Sequence, residues 1–330
     1  VYMSQSPFEN SSQNPLDEFS SPTLELIDAC VAAAVAAHPM VGSGDKMEVD
    51  RLAVDAMRAS FNSFDFGGIV VIGEGAKDEA PMLFNGEVLG RGESLDWDIA
   101  VDPIDGTRLA AEGVPGAVAV VAASEFDSMM NCPDVYFMHK LVCGAAGRGV
   151  VDLDLSVAEN ILRLAAALGK PVSELVVAVI YKRMNAELIE QVVATGAKWH
   201  RFDEGDVAMA VAAATPGSGI DMMIGIGGNP EGVLAAVAVQ VLGGFMQGRL
   251  APQDVDQLER AMAAGYDLEK KYEITDLVGG ENWIFVLTGI TDGLLTKGIE
   301  VEGDGLIVQS LVLDSKLGEP QLIDVEVSRQ

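Results

Sequence analysis

Apolar residues recur along the chain with two distinct periods. A helical spacing covers residues 21–38, where Ser21 stands ahead of Pro22 as a possible N-cap, and residues 47–61. Short, continuous apolar runs predict three buried strands at 67–73, 98–101 and 116–124.

Strand and helix patterns alternate after about Val150, and two more strands follow near the end of the chain. The predicted strands are 176–180, 199–202, 220–228, 283–290 and 305–316, and the predicted helices are 155–170, 185–196, 205–216 and 230–244. This alternation is typical of an α/β fold.

We therefore expect a mobile tail over 1–22, rich in Ser, Asn, Gln and Pro, and an N-terminal α/β lobe over 23–150. A second α/β lobe is expected over 151–250, and a helix and strands over 251–330 complete the fold.

Composition allows a large core, because 49% of the 330 residues are hydrophobic. The apolar run 29–37 is bounded by Asp28 and His38 at about half the length of a membrane span. The first 22 residues lack the basic start and apolar stretch of a signal peptide. We expect a cytoplasmic protein without a membrane partner.

The net charge of −29 disfavours nucleic-acid binding, which needs a basic surface. An anionic substrate would need positive charge from a metal ion or a few Lys and Arg. The three cysteines, Cys30, Cys132 and Cys143, form no CxxC pair. We interpret them as small core residues and expect neither a zinc site nor a disulfide.

The segment 96–108, DWDIAVDPIDGTR, holds four aspartates. In a strand, Asp98, Ala100 and Asp102 share the face opposite Ile99 and Val101. We expect Pro103 to end the strand pairing, Asp105 to lie on the turn, Gly106 to adopt an unusual backbone angle and Thr107 to cap a helix.

Two carboxylates beside a helix N-terminus suit Mg²⁺ or Mn²⁺ together with a phosphate group. An Asp-Pro turn with a capping aspartate explains the sequence of this segment equally well.

Three further acidic sites have the same ambiguity. Glu74 lies between two glycines at a strand end, and Asp78 and Glu79 follow it in the sequence. Glu74 can be a metal ligand or part of a hairpin loop. Lys46 and Asp50 lie one helical turn apart, so both side chains can point the same way. They belong either to a functional site or to an ordinary helix surface.

Glu231 begins a helix after the loop GIGGNPEG, where it can complement the helix dipole or reach a metal ion. A nicotinamide-dependent enzyme is disfavoured, because Pro230 occupies the last glycine position of GxGxxG.

The segments GDKxxxD, VIGEG…DEAPML, DIAVDPIDGT, PDVYFMHKL, EGDVA and GIGGNPEG occur in this order. Together they resemble the class II fructose-1,6-bisphosphatases, over about residues 41–298. VIGEGxxDEAPML with AVDPIDGT is highly specific, whereas DPIDGT alone is shared with the wider lithium-sensitive, metal-dependent sugar and inositol phosphatases. The resemblance implies a layered α/β/α/β/α sandwich with two lobes and an active site between them.

The resemblance also implies roles for individual residues. It makes Asp50 and Glu74 ligands of one divalent ion, and Asp102, Asp105 and Glu231 ligands of a second. It makes Lys46, Asp78 and Thr107 catalytic, and it places the 1-phosphate at Asp105, Gly106 and Thr107. The sugar and the remote phosphate would contact Tyr136, Tyr181, Lys182, Arg183, Glu204, Gly205, Asp206 and Gly228.

The implied reaction is hydrolysis of the 1-phosphate of fructose 1,6-bisphosphate to fructose 6-phosphate, a step of gluconeogenesis or the Calvin cycle. Two or more Mg²⁺ or Mn²⁺ ions would neutralise the phosphate. Thr107 would orient the phosphate or the water, and Asp78 would accept a proton. The family also implies a homodimer or homotetramer.

The chain departs from the family pattern at Ala76, at 181–184 (Tyr-Lys-Arg-Met) and at Glu204. Many members also have Glu where Asp105 stands, although DPIDGT occurs too. All the proposed metal ligands are retained. The departures at 181–184 and Glu204 affect residues that would contact the sugar and the remote phosphate. The substrate is therefore open among fructose 1,6-bisphosphate, sedoheptulose 1,7-bisphosphate and an inositol phosphate. A non-catalytic paralogue that binds sugar phosphate is the alternative from another class.

Overall fold

The computed structural model describes residues 6–8, 15–75 and 82–328. The chain divides into two compact units. Unit 1 comprises Val1–Met129 and Gly279–Gln330, and unit 2 comprises Met130–Val278. Both combine β-sheet with helices, which confirms the α/β class.

Helices and strands fill most of the described residues. The helices are α1 (Ser21–Ala37), α2 (Lys46–Phe61), α3 (Thr107–Glu112), α4 (Val157–Leu168), α5 (Ala186–Ala194), α6 (Asp206–Ala214), α7 (Asn229–Val241), α8 (Val255–Ala263) and α9 (Ile274–Leu277). The strands are β1 (Gly67–Ile72), β2 (Val88–Gly90), β3 (Trp97–Asp105), β4 (Val118–Glu125), β5 (Phe137–Cys143), β6 (Val176–Ile180), β7 (Lys198–Phe202), β8 (Met222–Gly228), β9 (Phe245–Leu250), β10 (Tyr272–Glu273), β11 (Trp283–Gly289), β12 (Glu300–Glu302), β13 (Gly305–Asp314) and β14 (Gln321–Ser328).

Unit 1 is built on a mostly antiparallel sheet in the order β12-β13-β11-β4-β3-β1-β2, with β14 on β13. Only β1 and β3 pair in parallel among its described strands. Helices α1 and α2 pack against one face, and alternate residues of β3 and β4, such as Val101 and Val121, join their core. The many alanines of α1 let the helix approach the sheet closely.

Unit 2 contains a mixed sheet in the order β10-β9-β5-β8-β6-β7. Its strands β6 and β7 are parallel, while β5 pairs antiparallel with β8 and β9. Side chains of α4 and α5, including Ile161 and Val192, form a core with β5, β6 and β8. Helices α6 and α7 contact β5, β8 and β9.

The division differs from the boundary expected near residue 151. Strand β5, absent from the sequence prediction, occupies the middle of the second sheet, so unit 2 begins at Met130. Unit 1 is completed by the last 52 residues, Gly279–Gln330, because β11 pairs with both β4 and β13.

Part of the expected tail is folded. Phe19 is buried and Leu16 packs against the core of unit 1, since their apolar side chains find partners there. Helix α1 begins at Ser21 after the N-cap Ser20, with Pro22 in its first turn. Residues 1–5 and 9–14 lie outside the described residues.

Within the described residues, one helical segment, Ser21–Met40, is long and apolar enough to cross a membrane by length and composition. Half of its most apolar window is buried inside the molecule. It contacts α2, β4, β11 and β13. A core helix meets the same criteria, and these contacts are those of a core helix.

Candidate active site

A bulge in β3 brings Asp102 and Asp105 to one face of the sheet. Residues three apart on a regular strand point to opposite faces. Here Asp102 pairs with Val120 and Asp105 with Val118, so one extra residue is inserted between the two aspartates. Both carboxylates therefore lie on the face opposite α1 and α2.

Pro103 occupies this bulge rather than ending the strand, which corrects the prediction that pairing stops there. A proline has no N–H to donate to the ladder, and a bulge tolerates that loss. The Ile104 N–H donates to Asp102 Oδ1 at 3.1 Å. Asp105 is buried as the last residue of β3.

The turn after β3 connects Asp105 to α3. Gly106 is the N-cap, with φ of +92°, a region that favours glycine. Thr107 is the first residue of α3 rather than its cap, which corrects that prediction.

The Thr107 hydroxyl lies 3.2 Å from the Ile104 carbonyl and hydrogen-bonds the carboxylate of Asp50. Its single proton can serve only one of these oxygens at a time.

Helix α2 carries Asp50 and Lys46 one turn apart. Burial raises the pKa of the Asp50 carboxyl, and the hydrogen bond with Thr107 opposes the rise. Lys46 is exposed at the first position of the helix, after the N-cap Asp45, whose side chain accepts from the Glu48 N–H.

Glu74 lies just beyond the end of β1. Its N–H donates to the Leu83 carbonyl at 2.9 Å, and its side chain is exposed. A Cβ on Gly73 would stand 2.0 Å from the Leu83 oxygen, so only glycine allows this approach. The predicted proton acceptor Asp78, Glu79 and the departure at Ala76 lie outside the described residues.

Unit 2 places Glu231 in the first turn of α7. Its Oε2 is buried and has no hydrogen-bond partner among the described residues. Burial raises the pKa of the Glu231 carboxyl, the nearby charge of Lys140 lowers it, and that of Asp206 raises it further. The carboxylate lies against the Cα of Gly228, where a Cβ would be 1.6 Å from Oε2.

Lys140 and Asp206 form a buried ion pair beside Glu231. Nζ of Lys140 donates to Asp206 Oδ2 and, at 2.9 Å, to the Gly228 carbonyl. Removing one member of such a pair costs about 3–5 kcal/mol, because the other charge stays buried alone. The sequence analysis placed Asp206 at the sugar but did not find Lys140, because the sequence pattern did not predict strand β5, which carries it.

The other predicted substrate residues of unit 2 are mostly accessible. Tyr181, Lys182 and Arg183 are exposed where β6 ends, and the guanidinium of Arg201 lies 3.8 Å from the centre of the Tyr181 ring. Tyr136 is exposed just before β5. Glu204 precedes Gly205, the N-cap of α6 with φ of +94°.

The predicted metal ligands thus fall in both units. Asp50, Glu74, Asp102 and Asp105 belong to unit 1, and Glu231 belongs to unit 2. Across residues 6–8, 15–75 and 82–328, no three His, Cys, Asp or Glu side chains form a group that could hold a metal ion. The structure groups Asp102 with Asp105, and Asp50 with Thr107, and a shared metal centre stays a prediction.

Comparison with known proteins identifies relatives over nearly the whole chain. The sequence model of the bacterial fructose-1,6-bisphosphatase family, glpX-encoded, matches residues 20–327. Fructose-1,6-bisphosphatase 1 class 2 of Escherichia coli (strain K12) is 40% identical over 306 residues, 89% of this chain and 91% of that protein. The fructose-1,6-bisphosphatase class 2 of Shigella flexneri gives the same figures.

Among solved structures, the extragenic suppressor protein suhB from Bartonella henselae gives a TM-score of 0.34 at 15% identity, over 59% of this chain and 73% of that one. This likeness is too low to support an argument.

The match to the family model and the class 2 relatives define a phosphatase, a hydrolase of phosphoric monoesters. The chain belongs to the bacterial fructose-1,6-bisphosphatase family, class II, as its motifs predicted.

Proposed function

We propose that the chain hydrolyses the 1-phosphate of fructose 1,6-bisphosphate to give fructose 6-phosphate and inorganic phosphate. The observation that carries this proposal is the 40% identity, over 89% of the chain, to a fructose-1,6-bisphosphatase of class 2. The paired carboxylates of β3 and the buried Glu231 add chemical support.

The donor set suits Mg²⁺ or Mn²⁺. Hard divalent cations bind oxygen ligands, and Asp50, Glu74, Asp102, Asp105 and Glu231 supply carboxylates only. Glu231 Oε2 is buried and has no partner among the described residues, which costs free energy unless the oxygen gains a ligand. When bound, two or more such ions would neutralise the phosphate and polarise its oxygens.

The protein's own groups would orient the reactants. The Thr107 hydroxyl, at the start of α3, can turn from the Ile104 carbonyl or Asp50 towards a phosphate oxygen or water. Lys46 is free to reach an anion from the exposed start of α2. Asp78 is the proposed proton acceptor.

The groups proposed for the sugar and the remote phosphate are those of unit 2: Tyr136, Tyr181, Lys182, Arg183, Glu204, Gly205, Asp206 and Gly228. Lys182 and Arg183 provide positive charge in a chain of net charge −29. We also propose a homodimer or homotetramer in the cytoplasm.

Phosphate release by the full chain tests the function and ranks the substrates. We expect turnover of fructose 1,6-bisphosphate with Mg²⁺ or Mn²⁺ to exceed that of sedoheptulose 1,7-bisphosphate and inositol 1-phosphate. No release from any of the three with either ion would refute it. Calorimetric binding without release would favour the non-catalytic paralogue.

Arg183→Met tests the proposed contact with the remote phosphate. A lost charge-assisted hydrogen bond of about 1.5 kcal/mol should raise KM for fructose 1,6-bisphosphate about tenfold. KM for fructose 1-phosphate, which lacks the remote phosphate, should not change. Arg163→Met, on the exposed side of α4, is the control. Equal effects on both substrates would contradict this assignment.

A further inference from the structure

A lysine ammonium lies in the interior of unit 2. Lys140, in β5, is only 1% exposed. Its Nζ donates to Asp206 Oδ2, at the start of α6, and to the carbonyl of Gly228, at the start of α7. Burying a charge is costly unless it is paired and hydrogen-bonded. Asp206 provides the opposite charge for Lys140, and the Gly228 carbonyl provides a further hydrogen bond.

The same ion pair holds Gly228 from both sides. The Gly228 N–H donates to Asp206 Oδ2 at 3.1 Å, while the Gly228 carbonyl accepts from Lys140 at 2.9 Å. The packing is close: a Cβ on Gly227 would lie 2.1 Å from Asp206 Oδ2. The junction between β8 and α7 is therefore fixed to α6 through Lys140.

The position of Gly228 in turn determines where the Glu231 carboxylate can lie. Glu231 follows three residues later, and its carboxylate occupies the space that a side chain on Gly228 would fill. Its Oε2 makes no hydrogen bond to any described residue. Packing against Gly228, rather than a polar partner of its own, holds this oxygen.

We infer that Lys140 is a positioning residue: through Asp206 and Gly228 it holds Glu231 in the orientation that binds a divalent cation. The inference rests on the proposed function, which makes Glu231 a metal ligand. Lys140 contacts neither substrate nor ion in this role. Groups that orient a metal ligand typically change metal affinity by 10- to 100-fold when removed.

Charge and position predict opposite effects for the loss of Lys140. Removing a positive charge near a metal ligand would strengthen cation binding through electrostatics alone. Releasing Gly228 and Glu231 would weaken it. The direction of the change therefore separates the two roles.

Mn²⁺ binding to the full chain without substrate, measured by calorimetry, tests the inference. We expect Lys140→Met to raise the Kd for Mn²⁺ at least tenfold and to lower kcat. Lys170→Met is the matched control, because Lys170 also pairs with an aspartate, Asp221, but at an accessible position. We expect Mn²⁺ binding of that variant to equal wild type.

A second variant covers the case in which Lys140→Met does not fold. Lys140→Met combined with Asp206→Asn removes one positive and one negative charge, so no unpaired buried ion remains and the net charge is unchanged. We expect this double variant to fold by circular dichroism and to bind Mn²⁺ at least tenfold more weakly.

Wild-type or tighter Mn²⁺ affinity in a folded variant would overturn the inference. Wild-type protein that neither binds Mn²⁺ nor releases phosphate would instead overturn the proposed function.

Discussion

Strand alternation predicted the side-chain directions in β3 correctly up to Asp102. Ile99 and Val101 lie in the core with α1 and α2, while Asp102 points to the opposite face. The bulge that adds Asp105 to that face could not be predicted, because a proline in a strand pattern usually marks an end. The partner of Lys140 was also unpredictable, since Asp206 lies 66 residues further along the chain.

The prediction that the three cysteines are small core residues is confirmed, because all three are buried. Burial raises the pKa of Cys132 to about 11 and that of Cys143 to about 12, so both stay protonated at neutral pH. We expect three thiols to react with a disulfide reagent at pH 7.5 only after denaturation. Fast reaction of the native protein would contradict this burial.

Among the elements, β1 and the glycine turn that ends it were easier to predict than β5. The run 67–73 predicted β1, and Gly73 at its end lies close to the Leu83 carbonyl. Strand β5 was not predicted, because the segment around His139 and Lys140 contains charged and titratable residues. Its place in the middle of a sheet depends on pairing with β8 and β9, distant in sequence.

Gly73→Ala tests the close approach at the end of β1. The added Cβ would stand 2.0 Å from the Leu83 carbonyl oxygen, so the backbone must shift, and we expect a loss of about 1–3 kcal/mol in the free energy of unfolding. Urea denaturation measures this loss.

Gly144→Ala is the matched control, because its nearest new contact, the Ala214 carbonyl, is 3.6 Å away. We expect a change within about 0.5 kcal/mol. Equal losses in the two variants would contradict the steric explanation.

At the scale of the whole molecule, the sequence predicted an α/β chain with the end of the chain completing the fold, but not the unit boundaries. The pairing of β11 with β4 joins residues more than 150 positions apart, and no local pattern encodes such a contact. Strand β6 pairs in parallel with β7 and β8, and parallel strands need crossover connections. These connections produce the β–α alternation from which the α/β class was predicted. The family motifs predicted membership, which the match over residues 20–327 shows.

An ion-pair network in unit 2 predicts how stability depends on pH. Lys271 bonds Asp152 and Asp154, and Arg249 also bonds Asp154. Hydrogen bonds from Lys271 and, to a smaller extent, from Arg249 lower the pKa of Asp154 from 3.8 to about 2. A carboxyl whose pKa is lower in the folded state stabilises the fold above pH 3.8, and that contribution disappears as the pH falls towards 2.

Lys271→Met should therefore destabilise the chain at pH 7 and progressively less below about pH 4. Urea unfolding of variant and wild type between pH 7 and pH 2.5 measures the difference. Lys297→Met, which removes an exposed partner of Glu300, should show no such convergence. A difference that is constant with pH would contradict the ion-pair explanation.

The central claim is that carboxylates of β3 support hydrolysis by holding a divalent cation, and Asp102→Asn tests it directly. The change keeps the shape of the side chain but removes its charge. We predict that phosphate release from fructose 1,6-bisphosphate requires Mg²⁺ or Mn²⁺ and falls at least 100-fold in Asp102→Asn, while Asp96→Asn, at an exposed position before β3, keeps wild-type activity. Undiminished release by Asp102→Asn, or by wild-type protein in excess chelator, would contradict the account.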